Sequence, residues 1–214
     1  MAAKSTFEMA AALWHIAHRP RKMVSLGVFP ADRLPSVQNI QSALANAGNC
    51  CCCFIANTDP KGQPGKHWVL FIATLMDRGR IQLEYFDSYG LPMPMHADLY
   101  DACCRNGYLR LVNECNTVCL QDVGSSVCGY YCLLVAHFRA IGRTFTSTID
   151  CLRSQAKSPE KRDEYAVNAI HSVFHRRRYY THPRTMPSCL ARSSRGLHQT
   201  CCSASNSPVQ KWVH

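Results

Sequence analysis

A chain of 214 residues that is 47% hydrophobic and 18% charged can fill a core of its own, which excludes wholesale disorder. No apolar run approaches the about 20 residues a membrane span needs, and Lys4, Glu8, His15 and His18 around a short apolar patch make a poor signal peptide, so neither a membrane protein nor one secreted by the usual route is expected. The net charge of +10 is uneven: residues 1–170 carry 17 basic and all 14 acidic residues, whereas residues 171–214 carry seven basic residues and no acid.

Residues 5–18 have the spacing of a short amphipathic helix that ends before Arg19-Pro20. GVFPADRLP at 27–35 is punctuated by proline and must run extended or turned. A second helix fits 36–47, with Ser36 as its cap. CCCCFIA at 50–56 reads as a buried strand, NTDPKGQPG at 57–65 as a loop, and HWVLFIATL at 67–75 as a second buried strand. MDRGR turns the chain into IQLEYFD at 81–87, another strand, and SYGLPMP at 88–94 is a loop. Residues 97–108 suit a helix and 109–120 a further strand. CGYYCLLVAHFRAI at 128–141 is apolar on most faces, so this helix must be central. A last amphipathic helix fits 161–175, and 176–214 shows no sustained period. Helices, then strands, then helices define an α+β domain over 1–175, followed by a basic, flexible tail over 176–214. That tail either binds nucleic acid or an anionic surface, or is a solvated polycation with no fixed partner.

The chain has 14 cysteines, several of them adjacent: Cys50 to Cys53, Cys103 with Cys104, Cys201 with Cys202. Adjacent cysteines suit independent disulfides poorly, so most are expected as free thiols in a reducing compartment. Outside the run Cys50 to Cys53 the sequence has no CxxC pair, and His171 with His175 lacks the glutamate of HExxH, so no metal site is expected.

The chemistry rests on four residues. Cys128 follows the small-residue loop QDVGSSV and opens the apolar helix. A thiol there meets the positive end of the helix dipole, a fitting place for a nucleophile. If the turn is centred near residue 77, paired residues sum to about 154, which sets His67 opposite Asp87, an imidazole–carboxylate couple at the open end of a hairpin. Gln121, seven residues before Cys128, offers an amide N–H to an oxyanion, alongside the backbone N–H of Cys128. Taken singly, each has a plain reading: a core cysteine, a surface His–Asp pair, a loop glutamine.

Together, HW at 67–68, FDSYG at 86–90 and QDVGSSVCGYYC at 121–132 resemble the adenovirus-type (adenain-like) cysteine proteases and the SUMO-specific and other ubiquitin-like-protein proteases, whose chain order is His, acid, Gln, Cys. The resemblance places His67 at the catalytic histidine, Asp87 at its acid, Gln121 at the oxyanion-hole glutamine and Cys128 at the nucleophile. It implies a papain-like, ubiquitin-like-protease fold with a central helix on a mostly antiparallel sheet. RDEYAVNAIHSVFH at 162–175 looks like the C-terminal helix common in the group. GVFPADRLP, FIANTDPKGQPGKHWV and FDSYG together look most similar to the branch carried by large self-synthesising DNA transposons (Maverick/Polinton-type) and related DNA viruses.

The resemblance implies a monomeric endopeptidase that matures virion or virus-like structural precursors near Gly, in the host nucleus or the virion. The chemistry requires no cofactor. DNA is open as an activator, whereas no cysteine here matches the one that binds the activating peptide of adenovirus enzymes; Cys103, Cys104 and Cys115 lie nearby. Two alternatives stand beside this reading: an isopeptidase that removes ubiquitin-like modifiers, and a DNA-binding virion protein with a decayed protease fold.

Overall fold

The sheet is built from the most apolar runs of the sequence. A computed structural model describes residues 6–17, 23–46 and 51–181, the side chains of 46 and 175–181 apart. The described residues form strands β1 (Met23–Phe29), β2 (Cys51–Asn57), β3 (Trp68–Leu75), β4 (Ile81–Phe86) and β5 (Val112–Cys115). The helices are α1 (Thr6–Ala17), α2 (Val37–Asn46), α3 (Ala97–Arg105), α4 (Cys128–Ala140), α5 (Phe145–Ser154) and α6 (Pro159–Thr181). Contacts divide the chain after Arg176. All that follows concerns the unit Met1–Arg176, and residues 182–214, with most of the expected nucleic-acid-binding tail, lie outside the described residues.

The five strands form one mixed sheet in chain order, β1-β2-β3-β4-β5. The central pairings β2–β3 and β3–β4 are antiparallel, and the flanking pairings β1–β2 and β4–β5 are parallel. The α+β class therefore holds, with parallel edges on an antiparallel centre. Strand periodicity explains the run of cysteines. Cys51, Cys53 and Ile55 enter one core, with Leu70, Ile72, Phe86 and the apolar faces of α1, α4, α5 and α6. Cys52, Phe54 and Ala56 enter the other, with Phe71, Tyr85, Tyr108 and residues of α2 and α3. A sheet covered on both faces needs side chains that are apolar at every position, which is what β2 and β3 supply.

Two helices start on side-chain caps. The Ser36 hydroxyl accepts from the Asn39 amide at 3.1 Å while Asn39 Oδ1 accepts from the Ser36 amide at 3.0 Å, a reciprocal cap for α2. Thr144 Oγ1 accepts from the Ser147 amide at 3.2 Å and starts α5. α4 is tied to the sheet by a buried ion pair: Arg139 Nη2 and Nε lie 2.6 and 2.8 Å from the two oxygens of Glu84 on β4.

The structure corrects four expectations. The segment at 27–35 contributes to β1, with a bulge between Ser25 and Gly27, before its prolines turn the chain. The strand expected at 109–120 is confined to Val112–Cys115, because residues 116–121 fold around the end of β4. α6 begins at Pro159 and runs to Thr181, past the expected boundary at 175. The register of the central hairpin also differs. The β3–β4 pairs, Leu70↔Phe86 among them, sum to 156, because the turn centres on Arg78.

Among the described residues, no helix is long and apolar enough to cross a membrane. The ten cysteines described are all free.

Candidate active site

His67 is the residue before β3, and Asp87 the residue after β4. The two-residue difference in register leaves both side chains on the same face of the hairpin, because side-chain direction alternates with period two. They are therefore diagonal neighbours at the open end, a separation that a histidine and an aspartate span together. His67 Nε2 lies 3.1 Å from Asp87 Oδ1, out of line for a full hydrogen bond. His67 is 7% exposed and Asp87 fully buried. The structure thus brings the expected couple together by a different pairing.

FDSYG at 86–90 works as a unit. Phe86 enters the core beside α4. Asp87 Oδ1 accepts from the Tyr89 amide at 2.7 Å, and the Asp87 carbonyl accepts from the Gly90 amide at 2.9 Å, which closes a tight turn. Tyr89 stacks on His67, ring centroids 4.9 Å apart and planes 29° apart. Gly90 has φ +69°, and a Cβ there would lie 2.7 Å from the Val118 carbonyl carbon, so no other residue fits the turn against segment 117–118.

Asn116 clamps the backbone of Asp87 from both sides: its Oδ1 accepts from the Asp87 amide at 2.9 Å, and its Nδ2 donates to the Asp87 carbonyl at 2.6 Å. The acid is held by its main chain as well as by its carboxylate.

Cys128 is the first residue of α4, and Val127 before it supplies no side-chain cap. The Cys128 amide belongs to the first turn, whose N–H groups have no partner within the helix. Cys128 is 7% exposed, and its thiol lies beside the His67 ring, near enough to raise the imidazole pKa. Gly129 follows for a steric reason: a Cβ there would lie 2.8 Å from the sulfur of Met9, so α1 packs directly on the first turn of α4.

Gln121 is 1% exposed, and its carboxamide is fully engaged. Its Oε1 accepts from the Ser88 hydroxyl at 2.7 Å. Its Nε2 donates to the Ser125 carbonyl at 2.9 Å and contacts the Tyr89 and Ser125 hydroxyls, each at 3.1 Å. The amide expected to reach an oxyanion donates here to the loop that leads into Cys128. The backbone of that segment is anchored by α6, where Arg162 Nε donates to the Leu120 carbonyl at 3.0 Å. Tyr131 on α4 reaches across to Asp163, O–O 2.9 Å.

The electrostatics follow from the burial and the pairing. Burial alone would lower the pKa of His67, but the contacts with Asp87 and Cys128 outweigh it and raise the imidazole from 6.5 to about 9. Burial works against the Asp87 carboxylate too, yet the contacts with His67 and His96 and the Tyr89 amide bring it down to about 2. Other cysteines are held as thiols by burial: Cys52 and Cys103 are pushed up to about 12, and Cys53 and Cys132 well above the ordinary value.

Sequence reasoning missed His96, Tyr89, Ser88 and Asn116. His96 Nε2 lies 2.7 Å from Asp87 Oδ2, the oxygen that His67 leaves free. Among the described residues, His67, Asp87 and His96 each offer a ligand atom within 4.8 Å of the others, so they could hold a metal ion where none was expected. Such an ion would have to displace the contacts these groups already make with one another.

No protein-family model matches the sequence, and no curated protein matches it. Solved structures do. The chain is similar to the effector RickCE of Rickettsia bellii, at 11% identity over 79% of this chain and 94% of that one, with a TM-score of 0.54. It is also similar to the ASFV protease, at 17% identity, 77% of this chain, 66% of that one and a TM-score of 0.47. A de-sumoylating protease gives 14% identity, 78% of this chain, 76% of that one and a TM-score of 0.44. At such identities the likeness is one of fold.

Proposed function

We propose that this chain is a cysteine-type endopeptidase. The reading rests on one observation: the thiol that opens α4 contacts an imidazole that is itself paired with a buried carboxylate. In the proposed reaction the Cys128 thiolate attacks the peptide carbonyl carbon, forming a C–S bond and a tetrahedral oxyanion. The imidazolium of His67 gives its proton to the leaving amine as the C–N bond breaks. A water molecule, deprotonated by His67, then attacks the thioester and releases Cys128 and the acid product. Asp87 fixes the ring orientation and stabilises the imidazolium.

The oxyanion takes the first-turn amide of Cys128 and an N–H of Gln121. Gln121 serves this role once one of its hydrogens leaves Ser125 or Tyr89 for the substrate oxygen, so the present bonds hold the donor in readiness.

The proposed substrates are structural precursors of a virus or virus-like element, cut beside Gly, in the nucleus or the particle. DNA is the proposed activator, bound through the basic residues beyond 175. The experiment sets precursor-derived Gly-containing peptides against electrophilic probes made from ubiquitin-like modifiers. Peptide cleavage that disappears with Cys128→Ala is the expected result. Capture by modifier probes with no peptide cleavage would assign an isopeptidase. Salt-sensitive DNA binding with no turnover would assign a decayed fold.

A further inference from the structure

Asp87 is fully buried, and a buried carboxylate needs partners at both oxygens. Oδ1 is occupied by His67 Nε2 at 3.1 Å and by the Tyr89 amide at 2.7 Å. Oδ2 meets His96 Nε2 at 2.7 Å, with the Tyr85 hydroxyl at a marginal 3.5 Å. An ionised carboxylate only accepts, so His96 carries its hydrogen on Nε2.

The backbone of His96 is fixed by two bonds. Its N–H donates to the Met93 carbonyl at 3.0 Å, and its carbonyl accepts from the Tyr100 amide at 2.8 Å, at the start of α3. Its side chain is 11% exposed. The two imidazoles lie on either side of one carboxylate, ring centroids 5.6 Å apart.

We infer that His96 is a positioning residue: by donating to Oδ2 it fixes the rotation of the Asp87 carboxylate and keeps Oδ1 turned toward His67. The inference rests on the endopeptidase reading for its consequence in turnover, and on geometry alone for its effect on the couple. Asn116 grips only the main chain of Asp87 and leaves its two side-chain torsions to be fixed by the partners of the carboxylate. Without His96, Oδ2 would be left with the weak Tyr85 contact, and the carboxylate would turn or draw in water to satisfy it. A turned carboxylate misplaces the ring that receives and returns the proton, and such misplacement lowers the chemical step more than substrate binding.

The test uses the full chain and three variants: His96→Ala, His96→Phe, which keeps the packing without the donor, and His96→Gln, whose Nε2 hydrogen replaces the lost one. Two readouts are taken on protein whose fold is verified by near-UV circular dichroism. One is kcat and KM on a cleaved peptide; the other, which needs no substrate, is the rate at which iodoacetamide alkylates Cys128, resolved from the other cysteines by peptide mass.

The expected result is a loss of about 10- to 100-fold in kcat, with KM nearly unchanged, for His96→Ala and His96→Phe, substantial recovery in His96→Gln, and the same ranking in alkylation. Wild-type kcat and alkylation in His96→Phe would overturn the inference, as would a His96→Gln no better than His96→Phe. If wild type cleaves nothing yet alkylation follows the predicted ranking, the endopeptidase reading fails and the positioning role stands.

Discussion

The two faces of the sheet are equally buried but do different work. On one lie α1, α4, α5 and α6, and the apolar packing there is interrupted by two polar ties, Arg139 to Glu84 and Tyr131 to Asp163. On the other, aromatic rings dominate. Phe54 and Phe71 stack at 4.9 Å, and Tyr85 and Tyr108 close on Phe71 at 5.3 and 5.7 Å. The Tyr108 hydroxyl is spent on the Pro35 carbonyl. The difference teaches that the candidate site belongs to neither face alone: His67 and Asp87 stand at the end of the central hairpin, met by Cys128 of α4 from one face and by Tyr85 and His96, before α3, from the other.

Each contribution can be removed separately. The largest effect should come from Cys128→Ala, which removes the attacking atom and should lower turnover by about 10⁴-fold or more, read as peptide cleavage, while leaving thermal stability near wild type.

Asp87→Asn comes next, with a loss of about 10⁴-fold in kcat. It should also move the alkaline limb of the pH–rate profile down from about 9, since the carboxylate is one of the two groups that raise His67, Cys128 being the other. The same pair makes stability depend on pH, measurable as the unfolding midpoint in urea. The His67 contribution is complete below 6.5 and disappears as pH rises through about 9. The Asp87 contribution is complete above 3.8 and disappears as pH falls through about 2. Asp87→Asn should abolish the acid slope and shrink the alkaline one, to which Cys128 also contributes.

On the aromatic face, Phe71→Ala should cost about 3–5 kcal/mol of stability, read by urea denaturation, with kcat per folded molecule unchanged. A matching loss of kcat would show that the two faces are coupled.

Gln121→Ala should lower kcat by about 10²- to 10³-fold. Gln121 also bridges Ser88 and Ser125, so a fall in the unfolding midpoint without a fall in kcat would reassign it to holding the loop.

Much of this architecture was legible in the chain because its apolar runs have clear ends. The Ser36 cap, the run Trp68–Leu75 and the helix opening at Cys128 are each bounded by polar or small residues. β1 was hidden because Gly27 and Pro30 look irregular, although the glycine sits at a bulge and the proline only ends the strand. α5 was passed over because TFTST has low helical preference, and its signal was the Thr144 cap with Phe145, Thr148, Ile149 and Leu152 at helical spacing.

His67, Asp87 and Cys128 could be read from their surroundings. His96 could not, since a lone histidine before a helix has no spacing that ties it to a carboxylate nine residues earlier. The hairpin arithmetic failed by two residues, an even number, and so still placed both side chains on one face.

Strands that lie in the sheet in the order of the chain bear on synthesis. Each new strand finds its partner among residues just made, so the loops to be closed are short and contact order is low for a sheet of this kind. By the time residue 87 has emerged, imidazole and carboxylate can already be paired; the thiol comes forty-one residues later, on a helix that must dock against strands already in place. Thiol and imidazole can therefore meet only after that helix has docked, so the order of synthesis leaves the thiol's arrival as the last step in assembling the cluster.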